Sequence, residues 1–297
     1  MTIKRVWTAL LWRMFPILQP IGVHVLPVRF DSPIPDTREL RSARSRFDEH
    51  HPMTGIDIDL DRQLQFLQET IKPWEQEYAS AGGGRFGLDH SRMVSYAPAN
   101  ALTLYAIIRG SKPARMLEVG SGMSTYVAAA AFRANAADGA PGSYTVFDPY
   151  ASDELRADCA GVNVIAAKVE DIGLEPFLAL EAEDILFIDS SHTVKAFGDV
   201  NFLFLTVLPV LKPGVVIHVH DIFFPREYLP HHFFSSHVKQ IWQEQYLLHA
   251  FLIFNREFEV LVSWSYVHFE ASEQVRAFFP WYHSSRCPSS FWMRRVR

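Results

Sequence analysis

The fold is decided by one stretch of sequence, Leu117-Glu118-Val119-Gly120-Ser121-Gly122-Met123-Ser124-Thr125. It begins in a short apolar run at residues 116–119 and opens an alanine-rich segment that extends through Ala137. This order predicts a strand, a tight glycine turn and a helix. The two glycines let the backbone turn sharply and approach a ligand closely, which favours a cofactor site over a purely structural turn.

Short apolar runs alternate with helical segments outward from this turn. They predict strands at residues 116–119, 144–147, 162–166, 185–188, 215–220 and 258–262. The runs lack polar alternation, which indicates a parallel sheet covered on both faces. We therefore predict an α/β fold, a Rossmann-like, mostly parallel sheet with helices on both faces and an N-terminal helical arm or cap. Ligands of such sheets bind at the carboxyl ends of the strands.

The cap is predicted from an apolar pattern that recurs every three or four residues over 57–79. Such a period is typical of a helix that buries one face. Asp57 or Asp59 can cap this helix, and Pro73 is expected to kink it. Three glycines at residues 82–84 then predict a flexible loop and a site of proteolysis.

The chain has 297 residues, enough for one large domain with accessory parts. We predict an N-terminal arm and cap at residues 1–95, a cofactor-binding domain at 96–270, and a tail at 271–297 that packs on the domain. The net charge of −5 argues against a nucleic-acid partner. The two cysteines lie far apart and form no metal or disulfide pattern, so a cytoplasmic location is expected.

The N-terminus carries an apolar run at residues 6–12 after Lys4 and Arg5, as in a signal peptide. Arg13 interrupts the run, and no small-residue cleavage site follows. Basic, aromatic ends would suit contact with an anionic membrane surface. An arm that packs on the domain is favoured over that interpretation for residues 1–30.

The glycine turn carries further ligand signals. Glu118 lies two residues before Gly120, where a carboxylate can attract the ammonium group of an amino-acid ligand. Thr125 stands where a dinucleotide fingerprint has its third Gly or Ala, which disfavours a nicotinamide cofactor.

Acidic residues also follow the second and third predicted strands. Asp148 is placed to accept hydrogen bonds from ribose hydroxyls, with helix capping as the alternative. Glu170 and Asp171 could accept a hydrogen bond from an adenine amino group, although a solvated loop explains the pair almost as well. The predicted cofactor-binding residues are Glu118, Gly120, Ser121, Gly122, Ser124, Thr125, Asp148, Glu170, Asp171 and Asp189.

Polar residues end the fourth and fifth predicted strands, in Asp189-Ser190-Ser191-His192 and His218-Val219-His220-Asp221. A carboxylate directly after so apolar a strand as residues 185–188 is hard to explain by packing. Strand alternation places His218 and His220 on one face, and His218 is interpreted as a structural residue. Asp and His ligands suit magnesium, manganese or iron, and His192 could act as a general base.

Residues 115–225 resemble the class I S-adenosylmethionine-dependent methyltransferases, and within them bacterial relatives of the macrolide-sugar O-methyltransferases. The motifs that carry the resemblance lie at residues 117–125, 147–149, 184–192 and 211–221. Leu211-Lys212-Pro213-Gly214, before a strand that ends in Asp221, is that family's usual lead into its fifth strand. Residues 242–248 are also similar to bacterial members.

The resemblance implies S-adenosylmethionine as the methyl donor. In the metal-dependent sugar methyltransferases, an Asp after strand four and an acidic pair after strand five hold a divalent cation, and a His three residues after the first Asp is the base. Asp189, His192 and Asp221 match these positions. His220 replaces the first acid of the pair, which could favour a softer metal or none. The implied metal ligands are Asp189, His220 and Asp221, and the implied catalytic residues are His192 and Asp189.

We therefore predict an enzyme that methylates a hydroxyl of a small molecule, either a sugar or a natural product. A Rossmann-fold oxidoreductase or hydroxylase-like enzyme, and a non-catalytic nucleotide-binding protein, stay open as alternatives. A monomer and a homo-oligomer also both stay open. Residues 1–95 and 244–246 are expected to cover the strand-end rim. Phe224 and Tyr228 are slightly favoured as walls of an acceptor pocket.

Overall fold

A computed structural model of the chain describes residues 3–81, 86–88, 96–237 and 239–297, with side chains described from residue 6 onward. The chain divides into two compact units, one of residues up to 49 together with 229–241, the other of 50–228 together with 242–297. The predicted division at residues 95 and 270 stays a prediction, and the predicted loop at 82–84 lies outside the described residues.

The described α-helices, in chain order, are α1 (Ile3–Leu18), α2 (Thr37–Ser42), α3 (Leu60–Phe66), α4 (Glu75–Ala81), α5 (Pro98–Ser111), α6 (Met123–Ala137), α7 (Asp153–Asp158), α8 (Glu175–Leu178), α9 (Asp199–Phe202), α10 (Pro230–Phe234), α11 (Glu244–Leu252) and α12 (Trp264–Phe278). Short 3₁₀ segments lie at Gln19–Ile21, Arg44–Asp48, Lys72–Trp74, Val169–Asp171 and Leu208–Val210, and π-helical segments at Leu67–Ile71 and Leu203–Val207. Among these helices, none is long and apolar enough to span a membrane.

The strands are β1 (Arg115–Val119), β2 (Ser143–Phe147), β3 (Asn163–Ile165), β4 (Ile185–Ile188), β5 (Val216–Val219), β6 (Phe258–Ser263) and β7 (Phe291–Arg295). They form one sheet in the order β3-β2-β1-β4-β5-β7-β6. The pairings from β3 through β5 are parallel, and β7 is antiparallel to both of its neighbours. The predicted mostly parallel α/β sheet is thus confirmed.

The six predicted strands all occur, and β7 is an addition within the segment that was predicted to be a tail. It inserts between β5 and β6 and pairs Val219 with Phe291. Its sequence, Phe-Trp-Met-Arg-Arg, is a three-residue apolar run followed by two basic residues, so it shows neither strand alternation nor a long buried run. Pairing with two strands that precede it in the chain creates this strand.

The sheet is buried on both faces, as strand β4 shows. Ile185 and Phe187 join the apolar cluster on one face, whereas Leu186 and Ile188 join the cluster on the other. All four side chains are fully buried. Polar groups can therefore meet solvent only beyond the strand ends, which concentrates the chemistry at one edge of the sheet.

The predicted cap helix is an interrupted helical stretch from α3 to α4. Asp59 caps it by accepting a hydrogen bond from the backbone nitrogen of Arg62 at 2.9 Å. The predicted irregularity at Pro73 is confirmed, since a 3₁₀ segment there follows a π-helical one. Leu67 and Ile71 are fully buried in the same cluster as one face of the sheet. This stretch is therefore part of the sheet unit's core.

The other unit, built on α1, α2 and α10, has a small aromatic centre. Phe47 is buried, and its ring lies 5.6 Å from that of Phe233 and 6.0 Å from that of Phe234. Arg41 and Arg44 each place a guanidinium group 5.8 Å from the Phe234 ring. These contacts join residues that are far apart in sequence into one body.

Candidate active site

The glycine turn between β1 and α6 is shaped by close contact with the end of β4. Gly120 has a φ of 85°, in the left-handed region that favours glycine. A Cβ atom on Gly120 would lie 1.9 Å from the backbone oxygen of Asp189. The Gly120 nitrogen donates to the oxygen of Phe147 at 3.0 Å, and the Asp189 nitrogen donates to that of Val119 at 2.9 Å. Three strand ends thus meet at a point where no side chain fits.

Glu118 is buried under the glycine turn and stabilises it through hydrogen bonds. Its fully buried carboxylate accepts hydrogen bonds from Ser124 Oγ at 2.6 Å, from Thr125 Oγ1 at 3.0 Å and from the Tyr144 hydroxyl. Burial raises the pKa of Glu118 to about 7 even though these hydroxyl groups favour the ionised form. Thr125 Oγ1 also accepts a hydrogen bond from the Gly122 nitrogen at 3.1 Å. Four of the predicted cofactor residues, Glu118, Gly122, Ser124 and Thr125, are therefore linked by hydrogen bonds at the turn.

Asp148 connects the turn to the end of β2. One carboxylate oxygen accepts hydrogen bonds from the Ser121 nitrogen, at 3.0 Å, and from the Ser121 hydroxyl, and the other accepts from the Tyr150 nitrogen at 2.7 Å. The capping alternative for Asp148 is wrong, because Ser152 caps α7 through a 3.1 Å hydrogen bond from the Leu155 nitrogen. Asp148 is thereby held half-exposed beside the glycine turn.

A cavity of about 520 Å³ opens at these strand ends. Its size lies within the range of about 300–1,000 Å³ that is usual for small-molecule and cofactor sites. Its wall comprises Val119, Gly120, Phe147, Asp148, Pro149, Tyr150, Lys168, Val169, Glu170, Asp189, Ser190, Ser191, Lys195, Ala196, Phe197 and Asp199. Of the predicted adenine-binding pair, Glu170 lies on the wall, whereas Asp171 is exposed to solvent.

Asp189, His192 and Asp221 form a compact cluster at the edge of this cavity. Each offers a ligating atom, and these atoms all lie within 4.8 Å of one another. His192 Nε2 is 3.3 Å from Asp189 Oδ1 and 3.7 Å from Asp221 Oδ2. Asp221 is held by Ser289, whose hydroxyl donates to it at 2.9 Å. The polar residues that follow the fourth and fifth strands thus lie close together at the carboxyl ends of those strands.

Glu244 is a fourth member of the site that the sequence did not single out as functional. It is fully buried, and its Oε2 lies 2.7 Å from Nδ1 of His192. The His192 carbonyl accepts hydrogen bonds from the nitrogens of Gln243 and Glu244, at 2.9 and 3.2 Å. The Trp242 ring lies 4.6 Å from the imidazole. The sequence signal that could have identified Glu244 is that it is the one acidic residue in segment 242–248.

The electrostatics of the cluster are dominated by its carboxylates. Burial would lower the pKa of His192, but Asp189, Glu244 and Asp221 outweigh it and hold that pKa well above its ordinary value. Burial would likewise raise the pKa of Asp189, but His220 and His192 hold it below its usual value. Charge of both signs is thus stabilised in a buried position.

His220 lies beside the cluster and takes a different orientation from His192. Its Nδ1 is 3.1 Å from Nε2 of His218, and its Nε2 is 3.8 Å from Asp221 Oδ1. His218 is fully buried and stacks on Phe187 at 3.9 Å between ring centroids. Its pKa is well below the ordinary value because of burial and the nearby His220. This fits the structural interpretation of His218, while His220 as a metal ligand stays a prediction.

The two aromatic residues that were favoured as acceptor-pocket walls belong to the core. Phe224 and Tyr228 are both fully buried. The Tyr228 hydroxyl accepts a hydrogen bond from the Gln245 nitrogen at 2.8 Å, and the Phe224 ring packs edge-on against Phe291 at 5.9 Å. Both rings therefore pack in the core, behind the carboxyl ends of the strands.

Comparison with known proteins gives one family match. Residues 117–222 match a family model described as a methyltransferase domain. These residues include the glycine turn, Asp148, Asp189, His192 and Asp221. A search of curated proteins finds no match.

Solved structures of low identity also resemble the chain. An SAH-bound methyltransferase of Podospora anserina is 16% identical, with a TM-score of 0.42, over 91% of this chain and 100% of that one. The O-methyltransferase TomG of Streptomyces achromogenes, involved in tomaymycin synthesis and solved with SAM, is 14% identical, with a TM-score of 0.44, over 77% and 99%. An SAH complex of a Bacillus cereus O-methyltransferase is 15% identical, with a TM-score of 0.42, over 78% and 96%. At these identities and TM-scores, we draw no function from them.

Residues 117–222, about a third of the chain, therefore resemble a methyltransferase domain. This match supports the predicted methyltransferase, and the oxidoreductase and non-catalytic alternatives are not favoured. The narrower relation to macrolide-sugar enzymes stays a prediction, as does the cytoplasmic location.

Proposed function

We propose that the enzyme transfers the methyl group of S-adenosylmethionine to a hydroxyl oxygen of a small molecule. One observation carries this proposal: Asp189 belongs both to the cavity wall and to the cluster with His192 and Asp221. A donor in the cavity would lie directly beside groups that can accept the proton of an acceptor. Group transfer gains most from such proximity and orientation.

The cavity wall offers the contacts that the donor needs. S-adenosylmethionine supplies a methyl group on a positively charged sulfur. Gly120 presents bare backbone to the cavity, Asp148 can accept further hydrogen bonds from ribose hydroxyls, and Glu170 can accept one from the adenine amino group. Glu118 and Asp171 make no direct contact in this proposal, since one is buried under the turn and the other is exposed.

The acceptor hydroxyl must be activated by removal of its proton, because a neutral hydroxyl is a poor nucleophile. His192 is the group that we assign to this task. Its Nδ1 bonds to Glu244, which leaves Nε2 on the side of Asp189 and Asp221. We infer that His192 in its neutral form takes the acceptor's proton at Nε2 as methyl transfer proceeds, and that Glu244 keeps the ring in this orientation. Because the neighbouring carboxylates raise the pKa of His192, the reactive neutral form, and with it the transfer rate, should increase as pH rises.

The two carboxylates of this cluster, with His220 beside Asp221, offer ligands for a divalent cation. Carboxylate oxygens and an imidazole nitrogen are donors that suit magnesium, manganese or iron. A bound cation would lower the pKa of the acceptor hydroxyl. His192 cannot be both ligand and base, because Glu244 leaves it only Nε2. We therefore propose Asp189, Asp221 and His220 as ligands and keep His192 as the base.

Calorimetry and a transfer assay test this function together. We expect S-adenosylmethionine to bind in the micromolar range, the order typical of metabolite sites, with no binding of nicotinamide cofactors. Asp148→Ala should weaken that binding by about 1–3 kcal/mol, through loss of a charged hydrogen bond. Asp171→Ala, an exposed acid near the same cavity, is the matched control and should bind as the wild type does.

The transfer assay uses labelled donor and a broad panel of small-molecule hydroxyls, with and without a chelator. Methyl transfer to an alcohol or phenol supports the proposal, and loss of that activity in chelator supports the cation. Binding of a nicotinamide cofactor in place of S-adenosylmethionine would contradict the donor site. Transfer only to nitrogen or carbon acceptors would contradict the hydroxyl assignment.

A further inference from the structure

Helix α1 exposes large apolar side chains. Val6, Leu10 and Ile17 are 50%, 44% and 70% exposed. They are four and seven residues apart, so they share one face of the helix. Trp7, next to Val6 in sequence, is 60% exposed. An exposed face with several large apolar side chains marks an interaction surface.

The opposite face of α1 is already in use. Leu11, Phe15 and Leu18 are half-buried and recur at spacings of four and three residues. The Phe15 ring lies 5.3 Å from that of His24. The helix is therefore oriented by its own packing, and the exposed face is the part that this packing leaves uncovered.

The charge around this face has a single sign. Helix α1 contains Lys4, Arg5 and Arg13 and neither Asp nor Glu, whereas Arg29, beyond the helix, is paired with Asp31 at 2.9 Å. Arg13 is exposed and lies on this same face, between Leu10 and Ile17. An apolar stripe with basic and tryptophan side chains and no acid is the composition of helices that lie in the headgroup layer of anionic membranes.

A second copy of the chain fits this surface less well. Two copies that paired through the same face around a two-fold axis would bring the cations of α1 together, and no acid of this helix could neutralise them. Anionic lipid neutralises them directly. We propose that α1 is a membrane-surface helix that lies in the plane of an anionic lipid layer, with Val6, Leu10 and Ile17 at the boundary between headgroups and acyl chains.

Vesicle flotation of the full-length protein tests this proposal. We expect binding to vesicles of phosphatidylcholine and phosphatidylglycerol at 7:3, and much weaker binding to phosphatidylcholine alone or in high salt. The variant Leu10→Asp/Ile17→Asp should lose at least about tenfold in vesicle affinity, because both side chains leave the apolar layer. Arg13→Gln should lose about fivefold.

The matched control is Leu205→Asp, which changes a 62% exposed leucine elsewhere in the chain. It should bind vesicles as the wild type does. All these variants change exposed positions, and unchanged binding of S-adenosylmethionine reports that each is folded. Failure of the wild type to bind anionic vesicles, or equal binding by Leu10→Asp/Ile17→Asp, would overturn the proposal. Dimerisation in sedimentation that this double variant abolishes would assign the face to a second copy and would overturn it as well.

Discussion

The glycine turn and the His192 cluster lie at the same edge of the sheet and are held in different ways. The turn depends on shape, because Gly120 touches the backbone of Asp189 and Glu118 is surrounded by hydroxyl groups. The cluster depends on charge, because His192 lies among three carboxylates, one of them the fully buried Glu244. We therefore expect steric substitutions to act on donor binding through the turn, and charge substitutions to act on transfer through the cluster.

The largest effect is expected at the turn. Gly120→Val should abolish binding of S-adenosylmethionine, because even a Cβ would overlap the Asp189 carbonyl. Gly122→Ala is the matched control. It should perturb binding far less, since no atom lies within 4 Å of a Cβ at that position. Calorimetry measures binding, and circular dichroism measures folding. Normal binding by a folded Gly120→Val protein would show that the donor site is elsewhere.

The next largest effect is expected at His192, the proposed general base. His192→Ala should slow methyl transfer by about 10²–10⁴-fold, the usual range for a positioned general base, and should leave donor affinity unchanged. Single-turnover rates separate transfer from binding. His283→Ala, at an exposed histidine outside the cluster, should behave as the wild type. A His192→Ala rate within a few-fold of the wild type would remove His192 from the mechanism.

A smaller effect is expected at Glu244, which holds the His192 ring in position. Glu244→Gln should slow transfer by about 10–100-fold, the usual cost of losing a carboxylate partner of a functional histidine. The nitrogen chemical shifts of His192 should change with it, because Nδ1 loses its carboxylate partner. Glu244→Asp should restore part of the rate. Unchanged His192 shifts in Glu244→Gln would contradict a positioning role.

The last prediction concerns the free energy of unfolding rather than binding or transfer, and it lies at Glu118 under the turn. The pKa of Glu118 is about 7 in the folded protein against 4.5 ordinarily, so the folded state binds the proton more tightly. Its contribution is complete below about pH 4.5 and is lost as pH rises through 7, by up to about 3 kcal/mol. Urea unfolding at pH 5 and pH 8 should show this loss in the wild type and in the exposed control Glu154→Gln. Glu118→Gln should lack it, and an equal loss there would contradict the assignment.

Most of the sheet could be predicted because each of these strands is encoded by a short, local stretch of sequence. Each strand from β1 to β6 contains a short, mainly apolar run. Asp148 and Asp189 follow their strands directly, and Asp221 comes two residues after the end of β5. Parallel strands bring their carboxyl ends together, so these acids could be expected at one edge. Strand β7 was missed because it depends on pairing with strands far away in sequence.

Glu244 was missed for a related reason. It lies 52 residues from His192, and only the packing of α11 brings the two side chains together. Side-chain direction was equally hard to predict for Glu118, which the sequence suggested as a donor contact and which lies beneath the turn. Spacing along a chain predicts which residues end strands, but it does not predict which way each side chain points.

The most direct test of the account is a crystal structure of the enzyme with S-adenosylhomocysteine. We expect the ligand in the 520 Å³ cavity, with its ribose at Asp148, its adenine at Glu170, and its sulfur facing the cluster of Asp189, His192 and Asp221. A ligand bound elsewhere, or one whose sulfur faces away from His192, would contradict the claim that donor site and acceptor chemistry meet at Asp189.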